Sequence, residues 1–349
     1  MRFEAVTIKD IAKALGISTS TVSRALRDSY EISPETKQLV LECAEKLNYQ
    51  PNPIALSLKE RRSRSIGVVV CEIANSFFSQ VINGIESIAY DKGYNVIIAQ
   101  SHESYEREMM DLHYLSSRSV DGLIISLSTE TNDISHLQAL HQKGLPIVLL
   151  DRVSHEIKTH NVVVDNFKGA YEATEHLLSL GYKRIAAIAN SEFLSITTER
   201  LAGYKEALAQ HGIKYNPAYV KHCFYGGMIF SEIEEAVNKL YTLKQKPDAI
   251  LTTSDKLTTG CLKTLVRRGI KVPDDIALVG FSNSDIAELL NPALTVVRQP
   301  AMEMGRAATE LLLQLIESKR PVTQFENRIL TPELLLGASA VQQPEEVVK

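Results

Sequence analysis

The chain has 349 residues, of which 44% are hydrophobic and 23% charged, and its formal net charge is -4. This length and composition exclude a disordered or fibrous chain and predict more than one domain. The acidic average argues against a nucleic-acid binder, but residues 1–64 hold 11 basic and 8 acidic side chains, a net charge of +3. The remainder carries -7. This division is typical of a small polyanion-binding module joined to a larger acidic body.

The basic head begins with two short helical patterns. Thr7 and Asp10 have the spacing of a capping box, and Gly16 ends the helix that they begin. A second helix is predicted from Thr19 to about Leu26. Two short helices joined by a tight turn that contains glycine predict a helix-turn-helix.

A third helix and a linker complete this region. Ser33 and Pro34 have the pattern of an N-cap followed by proline at the first helical position, and the helix is predicted to reach about Asn48. We expect its buried stripe to consist of Leu39, Ala44 and Leu47. Residues 51–64 change in character, with two prolines, a short apolar segment and then a run of charge, and are predicted to be a hinge or linker.

From residue 65 onward, short β-rich runs alternate with helical patterns. The ten predicted strands are Ile66–Cys71, Tyr94–Ala99, Asp121–Leu127, Pro146–Leu150, Val162–Val164, Arg184–Ala189, Val220–Phe224, Ala249–Thr253, Ile276–Phe281 and Thr295–Arg298. Regular alternation of strands and helices predicts parallel sheets covered by helices on both faces. Because ten strands exceed what one sheet of this type holds, we expect two lobes.

The second helix of the head carries a polar face that suits DNA. Its members are Thr19, Ser20, Thr21, Ser23 and Arg24. Short hydroxyl side chains let a helix lie deep in the major groove, and an arginine can donate two hydrogen bonds to guanine. The alternative is a three-helix structural cap whose polar face is only solvated.

The segments TIKDIAKALGISTSTVSRAL and NYQPNPIALSLK closely resemble the LacI/GalR family of bacterial transcription regulators. The resemblance continues in order through SIGVVV, NSFF, VDGLIIS, LLDR, RLAGY and NPALTVVRQP, and so covers essentially the whole chain. It implies an α/β fold class: an N-terminal three-helix helix-turn-helix head and a periplasmic-binding-protein type I body. Such a body has two Rossmann-like lobes connected by three crossovers.

The resemblance and the patterns together predict the domain bounds. The head is placed at 1–50, the hinge at 51–64, the effector-binding and dimerisation body at 65–341 and a tail at 342–349. Within the body, lobe 1 is expected at about 65–164 and 299–325, and lobe 2 at about 165–298 and 326–341.

By the same resemblance, Thr19, Ser20 and Arg24 contact bases, and Leu58 matches a leucine that these regulators insert into the minor groove. Inserted apolar side chains unstack a base step and kink the duplex. For Lys59 and the arginines after it, phosphate contact and a solvated linker face are both open. Leu56 departs from the arginine or polar residue that many relatives carry.

The body is predicted to bind a small effector between its lobes, because ligands of open α/β sheets bind beyond the carboxyl ends of the strands. The residues that the resemblance brings to this cleft are Asn75, Phe77, Phe78, Asp151, Arg152, Arg200, Phe224, Ser254, Asp255, Ser282 and Gln299. A core role for the two phenylalanines is the alternative. For Arg152, Arg200 and Asp151, the alternative role is a buried ion pair that holds the lobes together.

Two departures bear on the effector. Ser282 stands where many relatives carry aspartate, and Leu194 and Ile196 replace a polar pattern found where nucleobases are bound. We therefore expect a carbohydrate or carbohydrate derivative rather than a purine. Inducer and corepressor modes both stay open, as does a corepressor-dependent regulator of nucleobase metabolism.

Enzyme chemistry is not expected. The sequence has no glycine-rich phosphate loop, no nucleophile elbow and no histidine or cysteine pattern with metal-ligand spacing, so no cofactor and no metal are predicted. Without a signal-peptide pattern or a membrane-length apolar run, we expect a soluble cytoplasmic protein.

The sequence thus predicts a homodimeric transcription regulator, expected to be a repressor, whose partners are double-stranded operator DNA and a small effector. A two-fold pair follows because one three-helix head covers only a half-site. A sugar-binding module with a vestigial head and a sugar-acting enzyme are the alternatives.

Overall fold

The computed structural model describes residues 6–50 and 62–341. The chain forms two compact units, Met1–Ser63 and Arg64–Lys349. Among the described residues, no helix combines the length and hydrophobicity needed to cross a membrane.

The head contains three helices, and they are α1 (Ile8–Leu15), α2 (Thr19–Ala25) and α3 (Pro34–Lys46). Ile11, Val22 and Val40, one from each helix, are fully buried and form the centre of a small apolar core. Gly16 adopts a left-handed conformation with φ 65°, which lets the chain turn sharply between α1 and α2. The expected helix-turn-helix is therefore confirmed.

The capping residues of the head match the sequence pattern. The Asp10 carboxylate accepts hydrogen bonds from the backbone amide and the hydroxyl of Thr7, at 2.8 and 2.7 Å. Ser18 and Ser33 each accept a backbone amide hydrogen bond from the residue three positions later, which satisfies one free donor at the start of α2 and α3.

One part of the predicted head core is wrong. Leu39 is 56% exposed, and the buried side of α3 is formed by Val40 and Ala44, with Leu47 packed against them. Val40, Ala44 and Leu47 have the i, i+4, i+7 spacing of one helix face, whereas Leu39 lies one residue out of phase.

The body contains two six-stranded sheets. The strands of the first are β1 (Ser65–Val70), β2 (Asn95–Gln100), β3 (Gly122–Ile125), β4 (Ile147–Leu150), β5 (His160–Val164) and β11 (Asn327–Leu330). Their order is β11-β5-β4-β3-β1-β2, and each pair is parallel. This sheet is the framework of lobe 1.

The second sheet is the framework of lobe 2. Its strands are β6 (Ile185–Ala189), β7 (Val220–His222), β8 (Ala249–Thr252), β9 (Ala277–Phe281), β10 (Thr295–Arg298) and β12 (Glu333–Leu335). The order is β12-β10-β9-β8-β6-β7, and only β12 runs antiparallel to its neighbour among the pairs of the described chain.

Helices cover both faces of each sheet, as the alternating pattern predicts. In lobe 1 they are α4 (Ser76–Asp91), α5 (Tyr105–Ser117), α6 (Ser135–Gln142) and α11 (Ala301–Glu317). In lobe 2 they are α7 (Asn166–Ser179), α8 (Ser195–Gln210), α9 (Phe230–Tyr241) and α10 (Asp255–Arg267), with a 3-10 turn at Pro217–Tyr219. Each lobe has one apolar core on each face of its sheet.

The chain crosses between the lobes three times: after β5, after β10, and between β11 and β12. The third crossover corrects the predicted lobe boundary at 326, because β11 pairs with β5 in lobe 1 and the chain enters lobe 2 only after Leu330. The ten predicted strands are present, but the sequence reading missed both β11 and β12. The three crossovers bring the carboxyl ends of both sheets to one cleft.

Candidate functional site

Helix α2 presents its polar side chains away from the head core. Thr19, Ser20 and Arg24 are exposed, and Thr21 and Ser23 are half-buried. On the opposite side, Val22 and Ala25 pack into the core and are 0% and 3% exposed. The apolar side of α2 thus anchors the helix in the head, and its polar side stays accessible. A helix that contacts bases in the major groove of DNA needs this arrangement.

The hydroxyl groups at the start of α2 form a small cluster. Ser18 Oγ accepts the amide hydrogen of Thr21 at 3.0 Å and lies within 2.8 Å of the hydroxyls of Ser20 and Thr21. The Thr21 side chain therefore stabilises the first turn of α2. Leu56, Leu58 and Lys59, which the sequence assigns to the hinge, lie outside the described residues.

Arg24 has a partner that sequence reasoning missed. Its Nη1 lies 3.2 Å from Glu31 Oε2, and the two side chains remain 58% and 46% exposed. Glu31 lies in the turn before α3 and is not on the α2 pattern, so only the folded head brings it to Arg24. The ion pair orients the guanidinium group while leaving it accessible to a large partner.

A pocket lies between the lobes at the carboxyl ends of the strands. Ten of the eleven predicted effector residues line it: Asn75, Phe77, Phe78, Asp151, Arg152, Arg200, Ser254, Asp255, Ser282 and Gln299. Four further lining residues were not predicted from the sequence as effector contacts: Asn190, Ile196, Phe281 and Asn283. Phe77 and Phe78 belong both to this lining and to the core of lobe 1, so the two interpretations of them hold together.

Phe224 lies apart from this pocket. Strand β7 ends at His222 rather than at residue 224, so Phe224 lies in the turn beyond it. Its ring is 52% exposed, and the Glu232 carboxylate fixes the turn by accepting the amide hydrogens of Phe224 and Tyr225. The expectation that Phe224 forms an aromatic wall of the cleft is therefore wrong for this conformation.

Arg200 is held rigidly on the lobe 2 side. Its Nε donates to Asn166 Oδ1 at 2.8 Å, Nη1 donates to the Thr253 carbonyl and Nη2 donates to Gln299 Oε1 at 3.3 Å. The guanidinium carbon lies 3.9 Å from the centre of the Phe281 ring. Burial lowers the pKa of Arg200 to about 10, and the nearby Asp151 opposes that effect.

Arg152 is paired on the lobe 1 side with Glu103, a residue that the sequence reading did not identify. Nη1 and Nη2 donate to the two Glu103 oxygens at 2.5 and 2.9 Å, and Nη1 also lies 3.2 Å from Cys71 Sγ. Glu103 has a left-handed backbone with φ 64°, a strained conformation that places its carboxylate against the guanidinium. Burial acts to raise the pKa of Glu103, but the Arg152 charge holds it below its usual value.

Three buried polar atoms of the cleft make no hydrogen bond within the described chain. They are Asp151 Oδ1, an acceptor, and Arg152 Nε and Gln299 Nε2, both donors. Asp151 is 5% exposed and has a left-handed backbone with φ 62°. Burial raises the pKa of Asp151, and the nearby charges of Arg200 and Arg152 offset that rise only in part. The Gln299 side chain lies close enough to Asp151 to act against the rise in the pKa of that carboxyl, although the two make no well-formed hydrogen bond. A ligand hydroxyl can donate to such a carboxylate and accept from such an amide at the same time.

Asn283 joins the two lobes, a role that its sequence position left open. Its Nδ2 donates to Gln80 Oε1 on α4 at 2.8 Å and to the Gln299 carbonyl at 2.7 Å, and its Oδ1 accepts the Gln299 amide at 3.1 Å. The neighbouring Ser282 hydroxyl donates to Asp255. Ser282 therefore positions the Asp255 carboxylate within the pocket.

Further contacts close the cleft at its edges. Lys256 at the start of α10 lies 2.9 Å from Glu72, which follows β1. A Cβ at Gly226, in the turn after β7, would lie 2.8 Å from Glu103 Oε1, so the lobes are in direct contact there. The body is therefore in a closed arrangement around the pocket.

The molecule thus combines a helix-turn-helix that exposes a polar face with a two-lobed body that encloses a pocket. These two parts define the class of ligand-responsive DNA-binding regulators.

Comparison with known proteins identifies the family. Residues 7–52 match "Bacterial regulatory proteins, lacI family", and residues 174–340 match "Periplasmic binding protein-like domain". The Escherichia coli K12 protein "HTH-type transcriptional repressor CytR" is 33% identical over 341 residues, which span 97% of this chain and 98% of that protein. The chain belongs to the LacI family, and it is a DNA-binding transcription regulator with an effector-binding body.

Solved structures agree with this assignment. The Lac repressor dimer bound to operator and the anti-inducer ONPF superposes with a TM-score of 0.79 at 25% identity, covering 97% of this chain and all of that one. A complex of the transcriptional regulator CelR with cellobiose has a TM-score of 0.71 at 29% identity, covering 96% of this chain and 99% of that one. The predicted family, fold class and regulatory function are confirmed. The relatives named here are transcription regulators rather than enzymes.

Proposed function

We propose that the protein is a homodimeric, cytoplasmic repressor whose operator affinity is controlled by a carbohydrate or carbohydrate derivative bound between the lobes. The observation that carries the effector class is the pair of unsatisfied atoms, Asp151 Oδ1 and Gln299 Nε2, in a pocket that also has aromatic side chains. Carboxylates and amides bind sugar hydroxyls, and aromatic faces pack against the apolar side of a sugar ring.

In this proposal the exposed polar face of α2 reads the operator. Thr19, Ser20 and Arg24 contact base edges, while Thr21 and Ser23 support the helix and approach the backbone. Arg24 is the only long cation on that face, so a bidentate contact with guanine is its role. Leu58 and Lys59 are assigned to minor-groove insertion and phosphate contact.

The homodimer is supported by exposed apolar side chains on the same edge of both lobes. Strands β2 and β7 lie at corresponding edges of their sheets, opposite β11 and β12. Beside them, Met110 and Tyr114 on α5 are 65% and 51% exposed, and Phe224 and Tyr225 after β7 are 52% and 46% exposed. Exposed apolar side chains grouped in this way mark an interaction site, and a second copy of the chain would cover them.

Regulation follows from the closed arrangement of the lobes. An effector that fits only one arrangement shifts the population towards it, and the surfaces of the two lobes that join the copies shift with it. Because binding equilibria are linked, the operator must change the affinity for the effector by the same factor that the effector changes the affinity for the operator.

The experiment has two stages. A thermal-shift screen of the full chain against sugars, sugar phosphates and nucleosides identifies ligands, and an operator is selected from a random duplex library. Fluorescence anisotropy then measures operator affinity with and without each ligand. We expect a sugar to raise the melting temperature and to change operator affinity. Binding by nucleosides alone would contradict the effector class, and a sugar that left operator affinity unchanged would contradict its regulatory role.

A further inference from the structure

A second space adjoins the central pocket and is much larger. It has a volume of about 290 Å³, whereas the central pocket in this closed arrangement has about 40 Å³. By the same measure a single water needs about 10–15 Å³, so the central pocket holds only about three or four hydroxyl-sized groups. The larger space, here called the outer chamber, lies between the loops after β3 and β4 of lobe 1 and the segment 193–195 of lobe 2.

Arg152 forms a wall common to both spaces. The side chain is buried, and its Nε is a donor without a partner in the described chain. An unsatisfied charged donor in a buried position is costly, so the position is explained if a ligand atom accepts from it. Because Arg152 lines both spaces, a ligand atom that accepts from its Nε would lie where the central pocket and the outer chamber adjoin.

The charged side chains that line the central pocket and the outer chamber disfavour an anionic ligand. Arg152 is bound in bidentate fashion to Glu103, and each of the three Arg200 nitrogens already donates one hydrogen bond, to Asn166, Thr253 and Gln299. The remaining charged side chains along the two described linings are acidic: Asp151, Asp255 and Glu156. Phosphate sites need free cations or converging amide donors. A neutral ligand therefore fits, and a phosphorylated one does not.

The mouth of the outer chamber carries a flat apolar surface. Phe193 is 69% exposed there, on the lobe 2 side. Asn132, an exposed amide in the loop after β3, lines the lobe 1 side. An exposed aromatic ring opposite an amide offers both stacking and hydrogen bonding to a sugar ring.

We propose that the effector is an uncharged glycoside of at least two sugar units, with the hydroxyls of one unit in the central pocket and the next unit in the outer chamber against Phe193. This inference rests on the proposed carbohydrate effector and adds its size and charge. The glycosidic oxygen or a neighbouring hydroxyl accepts from Arg152 Nε.

The test is isothermal titration calorimetry on the full chain with matched probes. Each probe set contains a neutral disaccharide (maltose, cellobiose or lactose among others), its free monosaccharides and the 6-phosphates of those monosaccharides. For a disaccharide that binds, we expect at least about tenfold weaker binding of its monosaccharides and no tighter binding of their phosphates. Phe193→Ala should weaken the disaccharide about tenfold, a loss of stacking of roughly 1.4 kcal/mol, and should leave any monosaccharide affinity unchanged.

Two further variants complete the design. Asn132→Ala tests the opposite wall independently of Phe193, and we expect it to weaken the disaccharide selectively as well. Phe167→Ala is the matched control, because Phe167 is 42% exposed and stacks on Tyr171 away from both spaces. A monosaccharide that binds as tightly as the disaccharide, or a sugar phosphate that binds more tightly, overturns the inference but leaves the carbohydrate effector standing. No binding by any sugar overturns both.

Discussion

At the scale of single residues, the cleft concentrates features that cost stability. Asp151 combines burial, a left-handed backbone and a carboxylate oxygen without a partner. Glu103 shares the strained backbone, although its charge is matched by Arg152. Strained and unsatisfied groups persist where a ligand needs them, so Asp151 is the residue at which folding and ligand binding conflict most directly.

We therefore predict that Asp151→Asn stabilises the ligand-free protein and weakens effector binding. A neutral amide avoids the burial of a charge that Arg200 and Arg152 offset only in part, and asparagine tolerates a left-handed backbone. A gain of about 1 kcal/mol corresponds to a rise of about 2–4 °C in the melting temperature of the body. Differential scanning calorimetry measures the first effect and titration with the effector measures the second.

The stability that Asp151→Asn gains over the unchanged protein should depend on pH in a defined direction. The pKa of Asp151 is raised by burial, so the ionised carboxyl destabilises the folded state and its protonation relieves the cost. The difference in melting temperature between Asp151→Asn and the unchanged protein should be largest at neutral pH and shrink as the pH falls towards the raised pKa. A difference that grows on acidification would contradict this account.

The ion pair between Arg24 and Glu31 leads to a second prediction at this scale. Glu31 competes with DNA for the Arg24 guanidinium. Only a guanine in position for two hydrogen bonds offsets the loss of the ion pair. We expect Glu31→Gln to raise affinity for a scrambled duplex by about two- to fivefold and to raise affinity for the selected operator less. Anisotropy titrations of both duplexes at one salt concentration measure the effect.

Glu35→Gln is the matched control for Glu31→Gln. It removes the same charge from an exposed position on α3. The Glu35 carboxylate accepts hydrogen bonds from its own backbone amide and from the Ser33 side chain, not from Arg24. Equal effects of the two substitutions on both duplexes would mean that Glu31 acts only through the overall charge of the head.

Single residues show where sequence reasoning reaches its limit. Arg200 and Asp151 could be placed in the cleft because each lies in a motif beside a strand or helix end. Glu103, Gln80 and Asn283 could not, because their contacts join residues up to 203 positions apart. Short hydroxyls and amides also have many alternative partners, so only the assembled lobes determine which of them pair.

At the scale of elements, α4 and α11 form the closest helix contact in lobe 1. A Cβ at Gly84 would lie 2.1 Å from the Met302 carbonyl, and a Cβ at Gly305 would lie 2.1 Å from the Val81 carbonyl. Each glycine therefore lets the backbone of one helix touch the other. Since Asn75, the N-cap of α4, lines the pocket and α11 begins shortly after Gln299, this contact fixes two walls of the cleft.

We predict that Gly305→Ala strongly destabilises the body. The added methyl group cannot avoid backbone atoms, so the helices must separate, which costs about 1–3 kcal/mol as overpacking generally does. Urea unfolding of the full chain measures the loss. Glu86→Ala, an exposed substitution on the partner helix α4, should change stability by less than about 0.5 kcal/mol. Equal stability of Gly305→Ala and the unchanged protein would contradict the tight contact.

The elements that the sequence predicts best are those with strong patterns. Ten strands were found because each is a short run of β-branched or apolar residues, most of them buried. Strands β11 and β12 were missed because they are edge strands with charged residues and exposed positions, as in Asn327–Leu330. Their pairing comes from the course of the crossovers, not from their own composition, and this is why the lobe boundary was also misplaced.

At the scale of the whole molecule, the closed cleft is held by contacts that do not depend on a ligand. Glu72 and Lys256 join the lobes at one edge, and the turn at Gly226 meets Glu103 at another. Regulation needs two arrangements that differ by only a few kcal/mol. Weak contacts of this kind are suited to that requirement, because each adjusts the balance without locking it.

The pair Glu72 and Lys256 gives a direct test of that balance. The two side chains are 15% and 36% exposed, so their attraction is partly screened and is worth roughly 0.2–1 kcal/mol. We predict that Glu72→Lys or Lys256→Glu alone favours the open arrangement and weakens effector binding by about two- to fivefold. The double substitution restores an attractive pair with reversed polarity, so it should recover most of the lost affinity.

Calorimetric titration of the four proteins gives the coupling free energy between Glu72 and Lys256. Small-angle scattering of the ligand-free proteins should show the larger radius of gyration only in the single variants. A double variant no better than the singles would mean that this contact does not set the closure of the lobes.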